Sequence, residues 1–402
     1  MESSRGLVYR VSIPRYLLGR ALGGPWPWLL YGPLSSVSLR TFALPDPPAG
    51  DWLELRTRLT GICGSDIGLV RGTSSPSLSP FHSFPAVLGH EVLADVAAPA
   101  GDPLFGRRVV VDPVVSCAVR GAQPCPACAA GQSQQCRRRG DREGIGPGTL
   151  LGYHARLPGG FGERLWAHRS QLYPVPDDVP DERAVLAEPY AIALHAVLRR
   201  LPPQGAKVLV LGGGAIGLLT VAALTRHSGA EVHLVARHPR QRELGLALGA
   251  KRAYGAPGAP AAVVEAVGAR ALRPLMGPQV FSDGFDCVYD CIGSAASLGD
   301  SLRVTRHGGV LVLLGAAGSV QVDWSFVWSN EIDLVGCFGY GREADGRHTF
   351  AWALDDFQAD GGGLFERLIT DTYRLRDYRA ALRRQLVAGP TRPLKAVFDF
   401  RS

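Results

Sequence analysis

From residue 207 onward, apolar residues come in short unbroken runs separated by segments with a helical period. "KVLVL" leads through "GGG" into "AIGLLTVAALTRH", and "EVHLVA" leads into "PRQRELGLALGA". "FDCVYDCIG", "GGVLVLLGAA" and "IDLVGCFG" add further apolar strands. Unbroken apolar runs mark strands covered on both faces, and strands spaced by helices imply parallel βαβ units in a doubly wound sheet. The first half reads differently. "WLELRTRLTGIC", "VLGHEVLADV", "RRVVVDPVV" and "ERLWAH" are short β-like runs among many Gly and Pro, the texture of a mostly antiparallel, barrel-like domain. Between the halves, "DERAVLAEPYAIALHAVLRRL" predicts helix broken at Pro189, because a proline pushes its predecessor out of the α region. The tail from about 341 ends in "LKAVFDF", a strand expected to return to the first domain.

The fold class is therefore α/β, with a mostly β domain at 1–190, a Rossmann-type domain at 191–340 and a returning segment at 341–402. A chain of 402 residues with 46% hydrophobic and 20% charged residues has ample apolar material for two cores. The formal charge is +7, and only three of the 43 basic residues are lysines. The longest basic run is Arg137–Arg139, with no helix-turn-helix, finger or RNP pattern near it, so an anionic small molecule explains the charge better than nucleic acid. No run of eighteen apolar residues occurs, so neither a membrane span nor a membrane partner is expected. Residues 16–34, "YLLGRALGGPWPWLLYGPL", are interrupted by Arg20, Gly and Pro and lack a cleavage site, which argues against a signal peptide. The expectation is a cytoplasmic protein, where clustered thiols favour metal or redox chemistry over disulfides.

Gly212, Gly214 and Gly217 form G-x-G-x-x-G between a predicted strand and helix, with Ala215 and Ile216 inside the motif. The first glycine permits the tight turn, the second lets a pyrophosphate approach, and the third lets helix and strand pack. At the end of the next strand an NAD site would carry an acid. Here Ala236 is followed by Arg237, His238 and Arg240. No acid and added cations favour a 2′-phosphate, so NADP over NAD. The competing reading is a set of solvated charges at a helix start.

Cys117, Cys125, Cys128 and Cys136 follow the spacing C-x7-C-x2-C-x7-C, within a lobe at about 112–140. Four thiolates close a tetrahedral zinc site, which would be structural, and Gly121, Pro124, Pro126 and Gly131 supply the reversals. A redox C-x-x-C at Cys125–Cys128 is the alternative, without a thioredoxin-like βαβ around it. A second, dispersed set comprises Cys63 in "GICGSD", His90 and Glu91 in "GHE", and Glu188 in "LAEP". Singly each is an ordinary core or surface residue. Together a Cys, a His and a carboxylate would leave one position open for substrate, the arrangement of a catalytic zinc.

"GICGSD", "LGHE", the cysteine lobe, "GGFGE", "AEP" and "GGGAIG", in this order, resemble the zinc-dependent medium-chain dehydrogenases/reductases, in particular the threonine, sorbitol and glucose dehydrogenase branch. The likeness runs from about residue 40 to the C-terminus. It implies a GroES-like catalytic domain and a Rossmann domain with the active site between them, two zinc ions per chain, and a homodimer or homotetramer. It implies hydride transfer between NADP(H) or NAD(H) and an alcohol, polyol or sugar hydroxyl or its carbonyl. Cys63, His90 and Glu188 would ligate the catalytic zinc, with Glu91 close by as an exchanging or outer group. Ser65 would contact the substrate oxygen, and Asp66 would orient His90. Two rival functions stand beside it: a zinc-independent reductase of activated C=C bonds on the same fold, and a non-catalytic dinucleotide-binding protein. Three features depart from the family pattern. Seven residues separate Cys117 from Cys125, which predicts an enlarged loop with an intact ligand count. Gly68 stands where many relatives end a proton relay with histidine. Residues 1–40 exceed the usual strand pair, and would line the substrate cleft or pack on another subunit.

Overall fold

In the computed structural model, which describes residues 3–47, 50–316, 318–387, 389 and 392–401, strands of both expected kinds form. The chain separates into two compact units, one of residues 1–188 with 340–402 and one of residues 189–339.

The first unit is built on a seven-stranded sheet. Its centre is the long strand Trp52–Gly61, which pairs antiparallel with Glu91–Ala98, Arg164–His168 and Lys395–Asp399. Arg108–Val111, Leu172–Pro174 and Ile369–Tyr373 extend it outward. The final strand thus pairs in register Val397 to Gly61, beside the residues that lead to Cys63. Apart from the exposed Arg56 and the half-buried Arg58, the residues of Trp52–Gly61 are buried, because apolar clusters cover both faces. One gathers Leu7, Ile62, Phe161 and Phe398, and the other Leu55, Val92, Val109 and Leu165. A three-stranded sheet of Val37–Ala43, Ser3–Tyr9 and Ala86–Val87 lies in the same unit. Between its first two strands the chain forms the helices Ile13–Leu22 and Trp28–Tyr31.

The second unit holds a six-stranded parallel sheet. Its spatial order is Arg252–Tyr254, Glu231–Val235, Lys207–Leu211, Phe285–Asp290, Thr305–Leu313 and Asp333–Gly336. Numbered in chain order this is 3-2-1-4-5-6, the doubly wound arrangement that binds dinucleotides where the order reverses. Leu209, Val235, Phe285 and Leu302 share its core.

The helix break expected at Pro189 falls elsewhere. One short helix covers Asp181–Ala184, and the next runs through the proline from Ala187 to Arg199. Pro189 sits in the first turn, where its missing N–H would have had no helical partner and no preceding turn exists for its ring to strike.

Candidate functional site

Cys63 ends the turn that leaves Trp52–Gly61 and caps the helix Gly64–Arg71, whose first turn carries Ser65 and Asp66. Glu91 begins the neighbouring strand Glu91–Ala98 and His90 stands just before it, after Gly89 turns the chain at φ +93°. The pairing of Gly61 with Glu91 brings the two segments side by side. One donor atom from each of Cys63, His90 and Glu91 lies within 4.8 Å of the others. Space for the glutamate comes from Gly61, where any Cβ would stand 1.8 Å from Glu91 Oε2.

Asp66 holds this corner together. Its Oδ2 accepts the Cys63 backbone N–H at 3.0 Å, and its Oδ1 lies 3.6 Å from His90 Nδ1. The buried Tyr153 hydroxyl donates to Asp66 Oδ1 at 3.0 Å and sits 3.1 Å from Ser65 Oγ. Burial, with Asp66 and Cys63 adding to it, raises the Tyr153 pKa well above 10, so the phenol keeps its proton. Gly68, which stands in place of the relay histidine, faces the hydroxyls of Thr73 and Ser74, each 3.5 Å from where its Cβ would stand.

The two glutamates are treated differently. Lys395 Nζ reaches Glu91 Oε1 at 2.6 Å and Oε2 at 2.8 Å, and both side chains are buried. Glu188 stands at the start of Ala187–Arg199, its Oε1 accepting from Tyr340 at 3.0 Å. It lies outside the three-donor group, yet it feels that group. Burial pushes its pKa up to about 7, with the charge of His90 opposing and that of Glu91 adding. Tyr153, Tyr340 and Lys395 were not singled out in the sequence. Only the lysine left a signal, as one of three lysines in an arginine-rich chain.

The four lobe cysteines also converge, their sulfurs all within 4.8 Å of one another. All eight cysteines are free thiols. Cys117 Sγ lies 3.6 Å from Cys136 Sγ, and accepts the Cys125 backbone N–H at 3.3 Å. Burial opposes ionisation of Cys125, yet N–H groups of Arg137 and Cys128 directed at its sulfur bring it down to about 6. Such donors favour the thiolate at Cys125, while burial pushes the Cys128 and Cys136 thiols the other way. Gly121 and Gly131 take left-handed conformations at φ +61° and +75°, one in each of the segments Cys117–Cys125 and Cys128–Cys136, which lets both fold back without separating the sulfurs. Gln132 Nε2 donates to the Arg342 carbonyl at 2.8 Å, tying the lobe to the segment that carries Tyr340.

In the second unit, Gly212 leaves the strand Lys207–Leu211 at φ +112°. A Cβ on Gly217 would stand 1.7 Å from the Gly212 carbonyl oxygen, so helix and turn touch there. Nothing lies within 4 Å of the Cβ position at Gly214, the N-cap of Ala215–His227, so Ala215 and Ile216 open a helix with space before it. That is the geometry an anion needs at a helix N-terminus. Ala236 is buried at the end of Glu231–Val235, with Arg237 and Arg240 exposed beyond it. A third cation, Arg242, donates to the carbonyls of Ala236 and Arg237, both at 3.1 Å, and shapes this loop.

Two family models match the chain. An alcohol dehydrogenase GroES-like domain spans residues 49–177, and a zinc-binding dehydrogenase domain spans residues 215–359. The L-galactonate-5-dehydrogenase of Escherichia coli (strain K12) is 30% identical over 284 residues, 67% of this chain and 70% of that protein. An L-threonine 3-dehydrogenase of Anaeromyxobacter sp. (strain Fw109-5) is 31% identical over 298 residues, 72% of this chain and 77% of that protein. Among solved structures, a zinc-binding dehydrogenase from Sinorhizobium meliloti 1021 bound to NADP superposes with a TM-score of 0.71 at 24% identity, covering 99% of this chain and 100% of that one. L-idonate 5-dehydrogenase from Escherichia coli gives 0.71 at 22% identity, covering 99% of both chains.

Proposed function

The chain belongs to the zinc-type medium-chain dehydrogenases of the alcohol dehydrogenase superfamily, oxidoreductases of alcohols and polyols, and from that premise we propose how its own residues divide the work. The observation that carries the reading is the meeting of Cys63 and His90 beside Ser65, with Glu91 at the same point and Glu188 buried where it feels their charge. A thiol, an imidazole and a carboxylate are the donor chemistry of zinc. Cys63, His90 and Glu188 hold the catalytic ion. Lys395 neutralises Glu91, which leaves Glu188, pushed up to about 7 by burial, as the carboxylate that a cation would draw into its charged form. A bound zinc supplies Lewis acidity to a substrate oxygen, and a nicotinamide nucleotide supplies the two-electron exchange.

The remaining steps belong to side chains. The Tyr153 phenol has one proton and gives it to Asp66, so its oxygen is left to accept from Ser65. Ser65 Oγ presents a lone pair to the substrate hydroxyl, and as it takes the proton that hydroxyl releases it passes its own to the Tyr153 oxygen, whose proton moves to the Asp66 carboxylate. Asp66 fixes the His90 ring from behind. A C=C reductase has no use for this donor set, which argues against that rival. The test is a panel of alcohols, polyols, sugars and sugar acids, read by absorbance of the reduced nicotinamide. A zinc-loaded, folded protein inert toward the whole panel with both nucleotides would end this reading in favour of a non-catalytic binder.

The lobe cysteines hold a second, structural zinc. Metal analysis should therefore find two ions per chain, and a chelator should abolish turnover before it unfolds the protein. Cys128→Ser should lower stability or yield, while Glu188→Ala should mainly lower turnover. One zinc in fully active enzyme, or equal effects of both variants on folding, contradicts the assignment.

For the nucleotide we favour NADP, supported by the absence of a carboxylate at Ala236 and the exposed Arg237 and Arg240 beside it. A guanidinium fork matches phosphate oxygens, whereas a free ribose diol is best held by an acid. Arg237→Ala should raise KM for NADP far more than for NAD, and Ala236→Asp should shift kcat/KM toward NAD. A parent enzyme that already prefers NAD refutes the assignment. The free thiols fit a reducing, cytoplasmic setting, and a homodimer or homotetramer is the assembly expected of this family.

A further inference from the structure

The helix Ile13–Leu22, inserted between the first two strands, has no buried residue. Its inner side is marked by Tyr16, whose ring lies 3.0 Å from the Cβ position of Gly72, and by Gly19, whose Cβ position lies 3.0 Å from Leu30. At 3.6 residues per turn, the opposite side carries Ile13, Leu17, Leu18 and Ala21. Ile13 is 70% exposed and Leu17 58%. Arg15 and Arg20 fall on the two borders of that stripe. Arg15 reaches the Ser35 carbonyl at 3.1 Å, and Arg20 the Tyr16 hydroxyl at 3.4 Å. Trp26 and Trp28 follow at once, 53% and 48% exposed, with the Trp26 backbone N–H donating to the Leu22 carbonyl.

The charge of this region has one sign. Residues 3–45 contain Arg5, Arg10, Arg15, Arg20 and Arg40 and no acid, and of these Arg5 is paired with Glu163 at 2.7 Å. A neighbouring cleft of about 640 Å³ continues it, lined by Tyr31, Val387 and three arginines, Arg379, Arg383 and Arg384. Arg384 also meets Asp371 at 3.5 Å. The cleft and the insertion are joined by packing, since Leu30 shares a core with Leu382 and Leu386.

We propose that this face docks on the surface of an anionic lipid bilayer, with the apolar stripe and the two tryptophans at the acyl boundary and the arginines at the phosphates. An apolar helix face bordered by cations, followed by tryptophan, is the pattern of a helix lying in the interface plane. A second copy of the chain is a poor occupant. A two-fold contact would set this arginine-bordered face against itself, with no acid in the insertion to pair with it. No helix among the described residues is long and apolar enough to cross a membrane. The expected absence of a membrane partner rested on the search for a span, and an interfacial face leaves no such run in the sequence.

The experiment is co-sedimentation of the full chain with vesicles of phosphatidylcholine alone and of phosphatidylcholine mixed with phosphatidylglycerol. Binding is expected to the mixed vesicles only, and to fall in about 1 M salt, where the screening length is ~3 Å. Arg15→Gln with Arg20→Gln should lower the partition coefficient about 25-fold, on the order of fivefold per arginine. Leu17→Asp with Trp26→Ala should remove binding while leaving turnover without vesicles unchanged, which shows the variant is folded. Absence of binding, equal binding to both vesicle types, or an arginine variant that binds like the parent overturns the proposal. So does a Leu17→Asp variant whose mass by light scattering falls by half, because that assigns the face to a second copy.

Discussion

Ser65→Ala should yield a folded protein with both zinc ions in place and a kcat lower by about 10²–10⁴-fold, the range a positioned general acid or base contributes. The hydroxyl stands in the first turn of Gly64–Arg71, next to the Cys63 cap, and 3.1 Å from the buried Tyr153 hydroxyl. Removing it leaves Asp66, the Cys63 N–H contact and the Tyr153–Asp66 bond untouched, so the metal corner has no reason to collapse. Tyr153→Phe should have a smaller effect in the same direction, because the Ser65 lone pair remains and a water can take the Ser65 proton in place of the phenol. Steady-state kinetics and metal content of both variants provide the check. A Ser65→Ala enzyme with near-parental kcat would assign the proton to another group. A Tyr153→Phe enzyme worse than Ser65→Ala would reverse the order of the two residues.

Lys395→Met should cost about 3–5 kcal/mol of stability, the usual result of removing one partner from a buried ion pair. Lys395 and Glu91 are 5% and 1% exposed in their side chains, and the lysine reaches both carboxylate oxygens. Deleting the cation strands a charge that has little access to water and sits beside His90. Adding Glu91→Gln to Lys395→Met should restore much of the loss, because an amide is far cheaper to bury unpaired than a carboxylate. Chemical denaturation of the zinc-loaded parent, single and double variants separates the cases. A single variant within about 1 kcal/mol of the parent would mean that the pair is no better than a surface ion pair.

Periodicity in the sequence was enough for the parallel sheet, since Lys207–Leu211, Glu231–Val235 and Phe285–Asp290 are buried on both faces and therefore read as unbroken apolar runs. It was also enough for the glycine turn, because left-handed φ at Gly212 and the contact at Gly217 are demands that act between near neighbours. Pro189 shows the limit of local rules. A proline ends a helix or begins one, and its immediate neighbours do not say which.

The candidate metal residues divide in the same way. The four lobe cysteines span twenty residues, so spacing alone brings their sulfurs within reach of one another. Cys63, His90, Glu91 and Glu188 were legible as residue types, but the meeting of the first three depends on the pairing of Gly61 with Glu91, and the place of Glu188 on the helix that starts at Ala187. Lys395 reaches Glu91 across 304 positions and Tyr340 reaches Glu188 across 152. Contacts over such separations are made by sheet register and by the return of the chain, which no local pattern encodes. By itself, then, the sequence determined the strands, the glycine turn, the thiol knot and the inventory of donors, because each follows from periodicity or short spacing. Only the tertiary structure decided that Lys395 occupies one glutamate and leaves the other, that Tyr153 stands behind Ser65, and that the arginine-bordered stripe of Ile13–Leu22 faces outward, because packing chooses which side of an element is covered.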